Sequence, residues 1–329
     1  MEYDMNVTVL GGTRFMGRRI VSRLLHDGHA VTIVHRGNHA GTATPGVTEI
    51  VGDRSDLSVL AAVKESEPDA VVDMSAYTAQ QCAELLDAVG DVSRWVHCST
   101  GAVYEQSPVF PWVEDSPYGP WALWGQYGIE KLGCELLLRD RRSAQVSVVF
   151  RPPYVLGPGN YAAREEFILN RLLDDAEILI QGDGEGLLHM VSADEIGQMF
   201  ASAVTHPLSP GFHPFNAAGS NCISSLGLVH LLAEICGTTP RVRHISRPAD
   251  GTPFDTADHV FPFPDVPYVL DGAKLVEHGL VPQPTPLTDV LHESFEYLMR
   301  NPSRRTWTRT AAELSAASQS AAAPARLGP

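Results

Sequence analysis

The sequence is short of lysine, of long apolar runs and of any cysteine pattern. Only Lys64, Lys131 and Lys274 are lysines among 24 basic residues, which face 39 Asp plus Glu, so the 329-residue chain has a net charge of −15. No Lys/Arg-rich run forms a basic face, and this surplus of negative charge argues against phosphate-backbone binding, so no nucleic-acid partner is expected. No stretch of eighteen apolar residues occurs, and the opening MEYDMNVTVL is acidic where a secretory leader would be basic. Neither membrane insertion nor export is expected, which makes the expected location cytoplasmic. Cys82, Cys98, Cys134, Cys222 and Cys236 are odd in number and lack CxxC or Cys/His ligand spacing. A disulfide framework and a zinc site are therefore not indicated, no metal is expected, and the thiols are expected reduced and mostly buried. A hydrophobic content of 44% is ample for a core and excludes disorder of the whole chain.

What is present is a regular alternation of apolar strands and amphipathic helices. NVTVL at 6–10 leads through GGTRFMG into a helix with Ile20, Leu24 and Leu25 on one face. Further strands are expected at 30–34, 47–51, 70–74, 95–99 and 146–150, with helices at LSVLAAVKES and TAQQCAELLDAV between them. Such alternation predicts an α/β fold, a Rossmann-type doubly wound parallel sheet whose ligands bind at the carboxyl ends of the strands. Residues 1–155 form the expected NAD(P)-binding domain, and 156–302 a smaller substrate-binding α/β domain, some segments of which return to the first sheet. The latter has helices near 192–205, 224–235 and 287–300, strands at FNAA and RVRHI, and a proline-rich ordered loop or lid at 246–269. From Ser303 the Ser/Ala-rich composition predicts a disordered tail, 303–329, outside the fold. Its Arg304, Arg305, Arg309 and Arg326 against Glu313 leave −18 on the rest of the chain.

Gly11, Gly12 and Gly17 stand at the first strand-helix junction, where glycine permits a tight turn and lets backbone amides approach a pyrophosphate. Thr13, Arg14, Phe15 and Met16 complete this candidate cofactor loop. At the end of the second strand, the place of a ribose-binding acid is taken by His35 and Arg36. Arg14 and Arg36 form a cationic fork suited to a 2′-phosphate, which favours NADP(H), with NAD(H) the alternative if both arginines are merely solvated. Asp53 and Arg54, after the third strand, are expected beside the adenine, Asp53 being equally suited to capping a turn.

Tyr127 and Lys131 lie four apart in an expected helix and so share a face. With nine tyrosines and three lysines in the chain, chance would supply about 0.08 such pairs. A neighbouring ammonium favours the phenolate, so the pair can exchange a proton with a substrate alcohol while hydride moves to or from nicotinamide. Thr100, at the carboxyl edge of the fifth strand, can hold the same substrate oxygen. Ser99 is its rival, and either can instead cap the turn.

These motifs together, GGTRFMG, GDRSD, STGAVY, Tyr127-Gly-Ile-Glu-Lys131 and RPPYVLGPG, occur in an order that resembles the extended short-chain dehydrogenase/reductase family. GGTRF, Arg36 and VVDMSAY resemble a divergent, atypical branch that includes chloroplast RNA-binding relatives. The resemblance implies an NAD(P)-dependent epimerase, dehydratase or reductase, with Thr100, Tyr127 and Lys131 catalytic and Lys131 also binding the nicotinamide ribose. It places Ser75, Ala76, Tyr77 and Pro153 at the cofactor, and Tyr77, Thr100, Gly101, Ala102, Tyr154, His189 and Arg247 at the substrate. It also implies a small-molecule substrate, a nucleotide-diphosphate sugar among the candidates, and a homodimer.

Departures from the family narrow the chemistry. Gly101 and Ala102 replace the Asp-Glu of 4,6-dehydratases, which removes the carboxyls that drive elimination. Tyr154 replaces a usual Asn, and Leu188 and His189 replace an Arg-Asp pair, removing contacts to a nucleotide diphosphate. Arg247 to Asp250 does match a phosphate-binding position, with Arg243 nearby. His189 is either a ligand or a pocket wall; Trp121 and Trp124 either roof the site or belong to the core. The expected activity is oxidation or reduction of a secondary alcohol or ketone on a sugar nucleotide or related polyol, as 4-epimerase or ketoreductase. The alternatives are a reductase of a non-sugar natural-product ketone and a cofactor-binding, RNA-associated or redox-sensing protein with little catalysis.

Overall fold

The computed structural model describes residues 4–38, 44–247, 252, 254–255 and 258–321. The chain divides into two compact units. Unit 1 takes residues up to 157 together with 189–221 and 269–287, and unit 2 takes 158–188, 222–268 and 288 onward.

Unit 1 is built as the strand-helix alternation requires. Its elements are β1 (Asn6–Leu10), α1 (Phe15–His26), β2 (Ala30–His35), β3 (Thr48–Val51), α2 (Leu57–Glu65), β4 (Ala70–Asp73), α3 (Ala79–Val89), β5 (Arg94–Cys98), α4 (Gly125–Arg141), β6 (Val146–Arg151) and β7 (Tyr154–Leu156). Next in the chain come α5 (Arg164–Leu173), β8 (Ile178–Gln181), β9 (Leu187–Ser192), α6 (Ala193–Thr205), β10 (Gly211–Asn216), β11 (Asn221–Ser224), α7 (Ser225–Cys236) and β12 (Val242–Ile245). α8 (Ala273–Glu277), α9 (Leu287–Arg300) and α10 (Ala311–Ala321) follow. The main sheet has seven strands in the order β10-β6-β5-β4-β1-β2-β3, and every pairing in it is parallel. β10 extends upstream of the expected FNAA strand and joins the edge of this sheet, because residues 189–221 belong with unit 1.

Alternation along each strand divides the apolar residues between two faces. Val7 and Val9 of β1, Ala70 and Val72 of β4, Val96 and Cys98 of β5, and Val148 and Phe150 of β6 join one core with Ile20, Val21 and Leu24 of α1 and Ile196, Met199 and Phe200 of α6. Leu10, Val71, Trp95 and Val149 join the other, with Val59 and Val63 of α2, Leu85 of α3 and Leu138 of α4. Each such side chain contributes about 1.5–3 kcal/mol on burial. Helices on both faces leave the carboxyl ends of the strands as the place for a site.

Unit 2 pairs β8 with β12 in parallel and carries α5, α7, α9 and α10. The expectation of a disordered tail is corrected over 303–321: Pro302–Arg304 forms a 3-10 turn and Ala311–Ala321 the helix α10. The reason is charge. Arg304 pairs with Glu166 at 2.5 Å, Arg305 with Asp174 at 2.8 Å, and Glu313 meets Arg171 at 2.6 Å with both side chains buried. A basic segment is drawn onto an acidic body, and its alanines favour helix. Residues 322–329, including Arg326, lie outside the described residues. Among the described residues no helix is long and apolar enough to cross a membrane.

Candidate active site

The loop between β1 and α1 has the cradle expected of a dinucleotide site. Gly11 adopts φ +93°, and a Cβ on Gly12 would lie 2.8 Å from Val21 and 2.9 Å from Ile33. A Cβ on Gly17 would collide with the Gly11 carbonyl, so only glycine lets the helix begin this close to the strand. Arg14 is the N-cap residue, with extended backbone and no side-chain cap, which leaves the first amides of α1 for an anion. Arg14 is exposed, Thr13 and Met16 are half-buried. Phe15 departs from expectation in its side chain, which is buried in the core beneath α1; only its backbone, at φ +45°, remains for a cofactor. Arg36 is exposed at the end of β2 and has no ion pair among the described residues. The cradle fits the pyrophosphate of a dinucleotide.

The adenine-side expectation for Arg54 is corrected. Arg54 turns inward, donating to both oxygens of Asp73 at 2.6 and 2.9 Å, to Ser75 Oγ at 2.9 Å and to the Gln81 carbonyl at 3.1 Å. Burial works against the Asp73 charge, yet the adjacent guanidinium holds its carboxyl well below the usual range. The Asp73 Oδ1 also accepts from the amides of Ser75 and Ala76, fixing the turn after β4. Asp53 caps its own turn, its Oδ1 accepting from Ser55 N at 3.0 Å.

Thr100, Tyr127 and Lys131 come together at the carboxyl end of β5. Lys131 is buried in α4 and donates to the carbonyls of Ala76 and Cys98, each at 2.8 Å. Burial opposes its charge, but the phenol of Tyr127 and neighbouring groups raise its pKa above the ordinary lysine value. Tyr127 exposes 41% of its surface and stands one turn before Lys131 on α4. Desolvation pushes this phenol above its usual value and the Lys131 charge pulls against that shift. The Tyr77 ring lies 4.9 Å from Lys131 Nζ and 6.3 Å from the Tyr127 ring, so Tyr77 closes one side of the group. Gly128 makes the approach possible: a Cβ there would run into the Ala102 carbonyl. Gly101 and Ala102 are buried in the 3-10 turn that Thr100 caps by accepting from Ala102 N at 3.2 Å.

Ser99 is excluded as the rival of Thr100, because its hydroxyl donates to the buried carboxylate of Glu135. Glu135 sits one turn beyond Lys131 and is held by Arg151, from Nε at 3.0 Å and Nη2 at 2.6 Å. Arg151 also donates to the Tyr104 hydroxyl at 3.0 Å and the Glu114 carbonyl at 2.9 Å. Burial and then this guanidinium act on Tyr104 in opposite senses, leaving its phenol pushed up to about 12. Sequence reading did not single out this network. The i, i+4 spacing of Lys131 and Glu135 and the arginine at the end of an apolar strand were its only signals.

The substrate-side expectations fare unevenly. His189 is corrected to a structural residue: it is buried, Nδ1 accepts from Leu270 N at 3.2 Å, and Nε2 donates to the Gly219 carbonyl at 2.8 Å. Desolvation lowers its pKa and keeps it neutral, leaving no ring nitrogen for a ligand. Tyr154 and Pro153 are buried, and the Tyr154 ring packs 6.4 Å from Trp124. Trp124, Trp121 and Trp112 follow one another edge to face at 5.9 and 5.8 Å, an aromatic wall that starts at the N-terminus of α4. In unit 2, Arg247 does not stand ready for phosphate, since its Nε donates to Asp265 and Nη2 lies 3.6 Å from Asp183. Arg243 is tied to Glu177 at 2.9 Å. Asp250 lies outside the described residues. Cys82, Cys98 and Cys134 are buried free thiols, and Cys222 is exposed. Among the described residues no group of three His, Cys, Asp or Glu could hold a metal ion.

The model of the NAD dependent epimerase/dehydratase family matches residues 7–218. The chain is 25% identical over 256 residues to the chloroplast stem-loop binding protein of 41 kDa b of Arabidopsis thaliana, covering 73% of this chain and 66% of that protein. It is also 25% identical over 217 residues to the 2'-dehydrokanamycin reductase of Streptomyces kanamyceticus, covering 64% and 61%. The chain thus spans just under two thirds of the length of these curated relatives. Its fold is similar to that of UDP-glucose 4-epimerase from Thermotoga maritima, solved with UDP-glucose, with a TM-score of 0.74 and 22% identity over 91% of this chain and 100% of that one. It is equally similar to dTDP-glucose 4,6-dehydratase from Streptomyces venezuelae, solved with NAD, with a TM-score of 0.74 and 23% identity over 91% and 98%.

Proposed function

The chain belongs to the NAD dependent epimerase/dehydratase family, and from this we propose that it is an NAD(P)-dependent oxidoreductase of a secondary alcohol or ketone on a polyol, working as a ketoreductase. The observation that carries the proposal is Tyr127 and the buried Lys131 one turn apart on α4, with Lys131 donating to the Cys98 carbonyl at the carboxyl end of β5, two residues before Thr100. Gly11, Gly12 and Gly17, with the first amides of α1, would hold the pyrophosphate, and Arg14 and Arg36 the adenosine phosphate of NADP(H). The bound dinucleotide supplies or accepts hydride at its nicotinamide ring. Thr100 holds the reacting oxygen by its hydroxyl. Tyr127 donates its phenolic proton to that oxygen as the carbon gains hydride, and Lys131 stabilises the phenolate left behind. The reductase relative supports this direction.

A 4-epimerase is the second reading, favoured by likeness of fold to the epimerase from Thermotoga maritima. The two differ in cofactor cycling: an epimerase keeps its cofactor, whereas a reductase exchanges it each turnover. Mass spectrometry of ligands released from the purified protein, with calorimetric titration of NADPH and NADH, tests the proposal. An exchangeable site that prefers NADPH, and whose preference reverses in Arg36→Glu, is expected; firmly retained NAD⁺ refutes the reductase reading. Tyr127→Phe is expected to lower turnover by about 10²–10⁴-fold while leaving NADPH affinity unchanged. RNA binding with full biological activity in Tyr127→Phe would favour the non-catalytic alternative.

A further inference from the structure

Lys131 is a buried cation without a countercharge of its own. It is 3% exposed and makes no ion pair among the described residues. Its ammonium depends instead on neutral groups: the Ala76 carbonyl, the Cys98 carbonyl and the face of the Tyr77 ring. A buried charge met only by neutral groups becomes costly as soon as one of them swings away. The Cys98 carbonyl is fixed by its strand, because β5 pairs with β4 on one side and β6 on the other. Ala76 and Tyr77 lie beyond the end of β4, outside any strand or helix, and need another support.

Asp73 and Arg54 supply it. Asp73 ends β4 with its side chain fully buried, and the Arg54 side chain beside it is 9% exposed. Asp73 Oδ1 accepts from the amides of Ser75 and Ala76, each at 3.0 Å, which sets the course of the chain after the strand. Both terminal nitrogens of Arg54 are fully used, donating to the two Asp73 oxygens, to Ser75 Oγ and to the Gln81 carbonyl. Gln81 in turn accepts from the Tyr77 amide through Oε1 at 2.8 Å, so Arg54 braces the whole span from Asp73 to the first turn of α3. Gly11 rests against the same span: a Cβ there would lie 3.3 Å from Met74 Cβ and 3.4 Å from Ser75 Cβ. Stability alone does not call for a buried ion pair, since two apolar residues would serve as well beside the buried Val71 and Val72. An apolar pair would, however, leave the Ser75 and Ala76 amides without their acceptor.

We infer that Arg54 and Asp73 are positioning residues for the proton transfer: they fix the turn after β4 so that the Ala76 carbonyl and the Tyr77 ring hold the ammonium of Lys131 in place, one turn from Tyr127. This rests on the reading that Tyr127 and Lys131 carry that transfer. Arg54 thus acts on the reaction through Lys131, touching neither the substrate nor the nicotinamide.

The test reads Lys131 directly. The chain has three lysines, so magnetic resonance of the full chain labelled with nitrogen-15 in lysine alone resolves the Lys131 ammonium without any substrate, its signal identified by loss in Lys131→Arg. In the parent this ammonium should exchange its protons with water more slowly than that of the exposed Lys64. Arg54→Met with Asp73→Leu removes both charges and the amide acceptor, and should speed the exchange about tenfold. Arg54→Met with Asp73→Asn also removes both charges but keeps an oxygen for the two amides, and should stay within about threefold of the parent. Arg54→Lys keeps the charge but brings three donors to four acceptors, and should speed the exchange more than about threefold. The inference is overturned by a parent signal as fast as that of Lys64, by equal acceleration in the two double variants, or by exchange in the Asp73→Leu pair within about twofold of the parent. If that pair does not fold, Arg54→Lys decides: a rate equal to the parent's overturns the inference. Failure of the hydride-transfer reading has a separate signature, ketone reduction that survives Tyr127→Phe, whatever the exchange rates of Lys131.

Discussion

Replacing Glu135 by Gln is a sharp test of how the site is held. The carboxylate and its partner Arg151 are each 2% exposed, and Glu135 accepts from Arg151 Nε and Nη2 and from the Ser99 hydroxyl. Glutamine preserves volume but presents an amide N–H₂ toward a guanidinium that has only donors, so at least one of these bonds becomes a donor facing a donor. The charge of Arg151 is then left buried without a countercharge, facing only the neutral glutamine oxygen, the Tyr104 hydroxyl and the Glu114 carbonyl. Breaking a buried pair in this way costs about 3–5 kcal/mol. For a chain of this size about 2 °C is lost per kcal/mol, so the melting temperature should fall by about 6–10 °C, with a matching drop in the urea midpoint. The double replacement Glu135→Leu with Arg151→Met removes both charges at similar volume and should recover more than half of that loss. A Glu135→Gln protein within about 1 kcal/mol of the parent, or a double variant no better than the single one, would refute the argument that this pair anchors α4 to the end of β6.

Three further outcomes are expected. His97 in β5 is fully buried with neither ring nitrogen hydrogen-bonded among the described residues, and desolvation together with the Lys131 charge draws its pKa down to about 3. The unfolded ring takes up its proton near pH 6.5, so between those values the unfolded state binds more protons, and stability falls as pH drops through the window by up to about 1.4 kcal/mol per pH unit; unfolding curves of His97→Leu across pH 3–7 should lack that share of the slope. Gly128→Ala should displace α4 from the 3-10 turn after Thr100, costing about 1–3 kcal/mol and lowering turnover much more than Gly133→Ala, a site on the same helix where a Cβ would make a tight contact of 3.3 Å with the Ala79 Cβ instead of the 2.4 Å collision with the Ala102 carbonyl at Gly128. Glu313→Ala leaves Arg171 buried beside Phe167 and Trp307 without its carboxylate, and should cost about 3–5 kcal/mol and expose the segment after Asn301 to early cleavage in limited proteolysis.

The parts of the molecule that could be read along the chain are those governed by local physics. Strand periodicity, the glycines of the first turn and the four-residue spacing of Tyr127 and Lys131 each express a backbone requirement confined to a few residues. Residues whose meaning depends on distant partners are not legible along the chain. Arg54 looks like a cofactor residue until Asp73 stands 2.6 Å away. His189 looks like a ligand until Gly219 and Leu270 occupy both nitrogens. The Ser/Ala-rich tail looks disordered until its arginines and Glu313 meet Glu166, Asp174 and Arg171, more than 130 residues away in sequence.

The sequence by itself determined the α/β fold, the glycine turn between β1 and α1 and the shared helical face of Tyr127 and Lys131, because alternation, glycine turns and helical spacing act over ten residues or fewer. Only the tertiary structure decided which charges are already matched. It separated Thr100 from Ser99 by giving Ser99 to Glu135, withdrew Arg54 and Arg247 from free phosphate binding, and put the scarce Lys131 in a buried position where its charge acts on Tyr127. A charge is read by whatever lies within a few ångströms of it, and that neighbourhood exists only once the chain has folded.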